Sequence, residues 1–402
     1  MTSETQVVIV GAGPVGLVTA LALARSGVEV VVLEALRELP REQRGAAFHP
    51  PTLEMLEPLG ITDDLLPLGL RIPVWQIRDK EEGVVAEFDL GMLAGETRYP
   101  YRFHLPQHHL AADVLVKLER EPRATVVFGA SVEEVKQDGE RVEVRYGDAD
   151  GRFETIAARW VVGCDGARSA VRKSSGIDYE GFTWPERFLV TNVDEDLAGE
   201  GFAETSYVAD PDKWAVILRL ADPRVGSLWR IAMPSDPDLP EEQVLAEDYA
   251  QDMLRDVLGR ERDCKLVYQS TYRVHQRVAS RFRDGRVLLA GDAAHINNPI
   301  GGFGLNGGVH DAINLSEKLA AVCAGADCAL LDLYDRQRRH VAVENVQRQS
   351  IRNKRLMQER DPGVRRQNID ELRTVVRDPE LAKSYLRDSS MISSVAQAAA
   401  IR

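Results

Sequence analysis

Three glycines near the amino end have the spacing of a nucleotide cradle. Gly11, Gly13 and Gly16 lie in the run Gly11-Ala12-Gly13-Pro14-Val15-Gly16, directly after the β-branched run 7–10. An alanine- and leucine-rich stretch, 17–24, follows and reads as a helix that Gly27 can end. Residues 28–33 read as a second buried strand closing on Glu34. Gly11 permits the tight turn, Gly13 lets backbone N–H groups approach a pyrophosphate, and Gly16 lets helix and strand pack closely. The helix start adds unpaired N–H groups and the positive end of its dipole, with Pro14 inside the turn. Glu34, followed by Ala35, ends the second strand where a carboxylate can accept hydrogen bonds from ribose hydroxyls. The competing readings are a glycine-rich turn without a ligand and a membrane span over the uncharged stretch 7–24. Glycines and a proline clustered near the start of that stretch fit a turn better than a span.

Two later turns carry similar chemistry. A strand over 156–162 runs into Gly163-Cys164-Asp165-Gly166-Ala167-Arg168-Ser169 and a helix start. Asp165 and Arg168 are polar groups where a buried strand meets a helix; the alternative is a structural turn with an Asp-to-backbone bond. The strand 287–290 feeds Gly291-Asp292, then Pro299 and the run Gly301-Gly302-Phe303-Gly304-Leu305-Asn306-Gly307-Gly308. A loop with so many backbone N–H groups, opening a helix over 309–324, suits an anionic or electron-rich ligand edge. Arg44, just beyond the first unit, can meet a phosphate, a substrate or only solvent. Gln107, at the start of a helix over 105–121, is free to donate to a ligand.

The elements that must position these residues fit a chain of 402 residues, long enough for two or more domains with substantial cores. Apolar residues make up 44% and charged residues 28%, the balance of an ordinary globular protein. A net charge of −13 and a pI of about 5.2 argue against nucleic acid or an anionic membrane as main partner. Six residues precede the first strand, leaving no room for a signal peptide. Cys164, Cys264, Cys323 and Cys328 form no C-x-x-C pair and read as free thiols of a reducing cytoplasm, without a metal site. A hairpin is expected over 72–88, helices over 51–59 and 240–258, and a strand-rich stretch over 188–233. Tyr207, Trp214 and Trp229 in that stretch can wall a pocket for a flat ligand or fill a sheet core. The last forty residues are polar and are expected to cover a surface or fray.

In order, the Gly11/Gly13/Gly16 unit with Glu34, the Cys164-Asp165-Gly166 turn and Gly291-Asp292 resemble the para-hydroxybenzoate hydroxylase family of single-component, FAD-dependent aromatic hydroxylases. The resemblance runs from residue 7 to about 318. It implies an α/β fold: a Rossmann-like FAD-binding domain, an inserted β-sheet-rich substrate domain and a helical C-terminal region. The corresponding segments are 1–71, 98–180 and 275–334 for FAD, 72–97 and 181–274 for substrate, and 335–402 for the helices. By resemblance the first motif binds the ADP half of FAD. Asp165 and Arg168 serve FAD and NAD(P)H together, and Asp292 contacts the ribityl chain. Pro299 and the loop with Gly302, Gly304, Leu305 and Asn306 line the isoalloxazine, and Arg44 and Gln107 match further FAD contacts. The family has no separate NAD(P)H-binding Rossmann domain, and the thioredoxin-like domain of phenol-hydroxylase-type relatives is not matched.

The implied reaction is hydroxylation of a phenol-like or hydroxypyridine-like ring with NAD(P)H and O2. The flavin is reduced, swings outward, and forms a C4a-hydroperoxide that transfers one oxygen to the ring. A base near the substrate hydroxyl helps, because a phenolate is the better nucleophile. Tyr207, Tyr272 and His49 are the candidates, with Pro299 beside the flavin; Arg219, Trp214, Trp229 and His104 are the candidate substrate contacts. A homodimer is compatible with this reading. Alternatives are an epoxidase, a polyketide-tailoring oxygenase or a halogenase on the same fold, a non-catalytic FAD-binding protein, and a plain NAD-dependent dehydrogenase.

Overall fold

The computed structural model describes residues 3–40, 45–148 and 150–402. Five parallel strands form the floor beneath the glycine turns. Ser3–Val10 runs between Val30–Glu34 and Phe153–Gly163. Ala124–Phe128 extends the sheet beyond Val30–Glu34, and Val287–Leu289 extends it beyond Phe153–Gly163. Because all five point the same way, the turns leaving their carboxyl ends share one edge of the sheet, the usual place for a ligand in such folds. Val7, Val8 and Ile9 of the central strand are completely buried, which is why it reads as an unbroken apolar run. The helices Pro14–Arg25, His108–Leu118 and Phe303–Cys323 pack on the same core. The stretch 7–24 is thus strand, turn and helix. Among the described residues no helix is long and apolar enough to cross a membrane.

A second, mostly antiparallel sheet contains Tyr179–Val193, Thr205–Ala209, Ala215–Asp222, Gly226–Ser235 and Leu266–Ala279. The hairpin of Val74–Asp79 and Gly83–Asp89 extends it at one edge, joining Thr205–Ala209 in parallel, and His295–Ile296 pairs with Leu266–Ala279 at the other. One face carries Leu189, Ile217, Trp229 and Ile231 and packs on the helix Glu247–Leu258. The other carries Trp75, Phe88, Phe188 and Tyr207 and packs on the carboxyl-terminal helices through Met357, Leu372 and Leu386.

Two expected boundaries shift, and the expected helical carboxyl-terminal region is present. Tyr179–Val193 and Leu266–Ala279 pair with each other over most of their length, so boundaries at 180/181 and 274/275 would cut a continuous ribbon. The terminal helical region opens with Ala329–His340, earlier than residue 335. The last forty residues form the helices Pro362–Arg377, Pro379–Ser389 and Ile392–Ala400. Asp361 and Asp378 cap the first two, each accepting from two backbone N–H groups, and each is followed by a proline at the first helical turn.

Candidate active site

Close packing fixes two of the three cradle glycines. Gly11 has φ +102°, and a Cβ there would stand 2.5 Å from the Cys164 carbonyl oxygen. A Cβ on Gly16 would stand 2.0 Å from the Gly11 carbonyl oxygen. Gly13 differs: its φ is −66°, and a Cβ there meets nothing within 4 Å. The open space beside Gly13 lies at the start of the helix Pro14–Arg25, where backbone N–H groups have no helical partner. A diphosphate fits that space in both shape and charge. Glu34 is held at the same edge, its carboxylate accepting from Ala12 N–H at 2.6 Å and Leu36 N–H at 2.9 Å. Ala35 follows, exposed.

The two later turns close on this cradle. Cys164 N–H donates to Val10 at 2.8 Å, and Ala290 N–H donates to Gly163 at 3.0 Å. Gly291 abuts Val15 of the first helix, where a Cβ would come within 3.0 Å of the valine side chain. Asp165 Oδ2 accepts from Ala170 N–H at 2.7 Å and Val171 N–H at 3.2 Å. Its Oδ1 is buried without a partner, and burial pushes its pKa up. A cofactor hydroxyl or N–H is the partner such an oxygen lacks. Arg172 joins the second turn to the third, donating to Ala167 and Ala293 carbonyls at 2.8 Å each. Asp292 and Arg168 are exposed on these turns. The distant glycine turns therefore converge.

Beyond the third turn, Gly302 adopts φ +72° and begins the helix Phe303–Cys323. The N–H groups of Gly304 and Leu305 fall in its first turn. Gln107 and Leu305 meet at Gly45, where a Cβ would lie 3.0 Å from Gln107 Oε1 and 3.4 Å from Leu305 Cβ. The Asn306 side chain is saturated. It accepts from His49 N–H at 2.8 Å and Thr52 Oγ1 at 2.6 Å, and donates to Ala47 at 2.8 Å and Gly302 at 2.6 Å. Asn306 therefore braces the loop, and only its backbone is available to a cofactor. Arg44 lies outside the described residues.

Next to this loop is a cavity of about 80 Å3, lined among others by Trp75, Arg102, Tyr207, Ile300, Phe303 and Tyr385. Trp75 stacks on Phe88 at 4.5 Å, and Phe88 stacks on Tyr385 at 4.6 Å. The Arg102 guanidinium sits 4.4 Å over the Trp75 ring and donates to Tyr207 Oη at 3.2 Å. Exposed Arg352 and Asp388 form its outer rim.

A family model described as an FAD binding domain matches residues 4–349. The chain belongs to the FAD-dependent aromatic hydroxylases. Para-nitrophenol 4-monooxygenase of Pseudomonas sp. (strain WBC-3) is 36% identical over 386 residues, 95% of this chain and 94% of that protein. 6-Hydroxy-3-succinoylpyridine 3-monooxygenase HspB of Pseudomonas putida (strain DSM 28022 / S16) is 34% identical, covering 96% of this chain and all 100% of that one. The crystal structure of p-nitrophenol 4-monooxygenase PnpA from Pseudomonas putida DLL-E4 superposes with a TM-score of 0.92 at 36% identity, covering 98% and 99% of the two chains. FAD is the cofactor of this family, and the open Gly13 cradle and the orphan Asp165 oxygen fit it.

Within this aromatic hydroxylase the sequence-chosen substrate and catalytic residues scatter. Tyr207 reaches the cavity and Pro299 lies in the adjoining loop. Arg219 and Trp229 do not reach it. They are paired across neighbouring strands on the face that packs against Glu247–Leu258, and Arg219 is bonded to Glu204 at 2.9 Å. Trp214 is core, edge-on to Phe188 at 5.1 Å. Tyr272 packs on Phe188 at 5.5 Å, off the cavity lining. His104 is buried between the Arg219 carbonyl at 2.8 Å and Thr205 Oγ1 at 3.1 Å, and burial lowers its pKa to about 4. His49 is buried, and burial with the Arg102 charge lowers its pKa to about 3. Neutral at that pKa, His49 commits its Nε2 proton to the Gly301 carbonyl at 2.8 Å, which makes it a brace for the loop. Arg102, Trp75 and Tyr385 were missed. A lone arginine between the aromatics Tyr101 and Phe103 was the available signal for the first.

Proposed function

We propose that this enzyme hydroxylates a single-ring phenol or hydroxypyridine, using NADH or NADPH and O2. The carrying observation is the cavity: about 80 Å3 walled by stacked aromatics. An apolar cavity of roughly 150 Å3 accepts a benzene ring, so a space no larger than this favours a single ring over fused rings. The printed substrates of the two relatives above, a nitrophenol and a hydroxypyridine, support the same class.

When bound, FAD supplies the electron transfer and oxygen activation that no side chain provides. The chain binds it through Gly11, Gly13, Pro14, Gly16, Glu34, Ala35, Gln107, Asp165, Gly291, Asp292 and the loop from Pro299 to Asn306, with Arg168 exposed for NAD(P)H. Trp75, Phe303, Tyr385 and Ile300 exclude water from the ring site. Tyr207 Oη accepts from Arg102, so its own hydrogen is free to meet a substrate oxygen. Four free cysteines support a reducing, cytoplasmic setting. A homodimer is compatible with this reading, and light scattering of the holoprotein checks it.

The test follows NAD(P)H and oxygen loss by the FAD-loaded protein over single-ring phenols, hydroxypyridines and naphthols. Stimulation by single rings, with labelled oxygen from O2 in the product, is expected. No stimulation, or stimulation by fused rings alone, overturns the reading.

A further inference from the structure

Resting on the single-ring reading, the polar groups of the cavity indicate what charge that ring carries. Trp75, Arg102 and Tyr207 line its inner end and are 3%, 2% and 8% exposed. Trp75 Nε1 and Arg102 Nε are both buried without a hydrogen-bond partner. Neither group can accept a hydrogen bond, so the partner each lacks must be an acceptor. Tyr207 Oη already accepts from Arg102 Nη1 at 3.2 Å, which turns its own hydrogen outward as a third donor. Among the described residues no carboxylate is paired with Arg102.

The surrounding charges point the same way. His49 and His104, which feel the Arg102 charge, are neutral near pH 7, with pKa values lowered by burial to about 3 and about 4. Tyr385, across the cavity, is neutral, burial raising its pKa. The Asp388 carboxylate is exposed at the rim, beside Arg352. A buried guanidinium without a counter-ion is costly, and an anionic ligand oxygen relieves that cost.

We propose that Arg102 is the counter-charge of an anionic substrate, holding an ionised ring oxygen together with the Trp75 and Tyr207 donors. The enzyme then selects phenolates and hydroxypyridine anions over neutral rings of equal size. The phenol proton passes to solvent on binding, and no other bond changes. The bound ring is left in its more electron-rich form, the one suited to attack by an electrophilic oxygen.

The test titrates FAD-loaded enzyme with 4-nitrophenol, whose anion absorbs in the visible, and with nitrobenzene as its neutral counterpart. Readouts are the absorbance of probe and flavin, across the pH range where the free phenol ionises. The bound probe is expected as its anion at pH values where the free probe is still neutral. Arg102→Met should weaken anion binding about tenfold or more, leaving nitrobenzene binding and FAD content unchanged. Arg102→Lys should restore part of the preference. Trp75→Phe and Tyr207→Phe each remove one donor while keeping a ring, and should cost the anion several-fold more than the neutral probe. They carry the test if Arg102→Met does not fold. Wild type that binds both probes equally or neither, or variants with unchanged anion preference, overturns the proposal. Hydroxylation of phenols without an Arg102-dependent anion preference sinks this inference alone. Arg102-dependent anion binding without hydroxylation of any ring sinks the single-ring reading alone.

Discussion

Arg338 Nε donates to Asp311 Oδ1 at 2.6 Å, with the two side chains 3% and 0% exposed. The other Asp311 oxygen accepts from Gly291 N–H at 3.1 Å and lies 2.7 Å from His295 Nε2. Arg338 also donates to the Gly307 carbonyl at 3.2 Å. A residue on the helix Ala329–His340 thus fixes the Asp292 turn from behind. Arg338→Met removes one of the two side chains that hold the buried carboxylate, His295 remaining, and the cost falls toward the lower end of the range of about 3–5 kcal/mol for breaking a buried pair. Urea unfolding should show a loss of that size, accompanied by poorer flavin retention. A loss under about 1 kcal/mol, within the range of a surface pair, would refute the structural role. Burial pushes the Asp311 pKa up, but His295 and Arg338 prevail and hold it at about 2. Its contribution is complete above the unfolded value of 3.8 and fades as pH falls toward about 2.

Gly13 and Gly16 separate ligand binding from folding. A Cβ on Gly13 enters open space, so Gly13→Ala should change unfolding stability by no more than about 1 kcal/mol, the helix-cap difference. The same methyl intrudes on the diphosphate position, so FAD content after purification should fall sharply. Gly16→Ala drives its methyl to 2.0 Å from the Gly11 carbonyl and should lower stability and flavin content together. Full flavin content in Gly13→Ala would move the phosphate site elsewhere.

Buried histidines predict acid sensitivity in a separate window. Burial lowers His49 and His310 to about 3 and His104 to about 4; Arg102 adds to the first and last, Arg338 to His310. Their unfolded value is 6.5, so below it the unfolded chain takes up protons that the native chain refuses. Stability is complete above pH 6.5 and falls as the pH descends toward those lowered values. Each such histidine contributes up to about 1.4 kcal/mol per pH unit. Urea midpoints measured stepwise below neutrality should fall accordingly, and His310→Gln should flatten that limb. A flat profile down to the carboxylate range would contradict neutral burial.

The cofactor half of the molecule was legible because its glycines answer to local sterics. Gly16 is set by the Gly11 carbonyl of its own turn and Gly11 by its positive φ, although the Cys164 carbonyl that also crowds Gly11 comes from a distant turn; the Asp165 and Asp292 turns repeat the strand–turn–helix pattern. The substrate half depends on register, which the sequence does not carry. On Ala215–Asp222, Arg219 shares its face with Ala215 and Ile217, and that face packs against a helix. A shift of one residue would have put it on the cavity side. Arg102 sits in a three-residue strand, too short for periodicity to reveal its direction. The terminal helices were legible in part: Asp361-Pro362 and Asp378-Pro379 are cap signals that a polar composition obscured.

Those terminal helices bring Tyr385 to the cavity, and its role is open to direct test. The ring lies nearly parallel to Phe88, 9° apart at 4.6 Å, and 6.1 Å from Trp75. Lys383 and Arg387, on the same helix, bind Glu96 at 2.9 and 2.6 Å, so the helix stays docked without the tyrosine. Tyr385→Ala should therefore keep its FAD and lose only about 1–3 kcal/mol of stability. Its effect should fall on coupling: with one wall removed, water reaches the ring site. More of the NAD(P)H consumed should then appear as hydrogen peroxide and less as hydroxylated product. Unchanged product per NAD(P)H in this variant would show that Tyr385 does not seal the site.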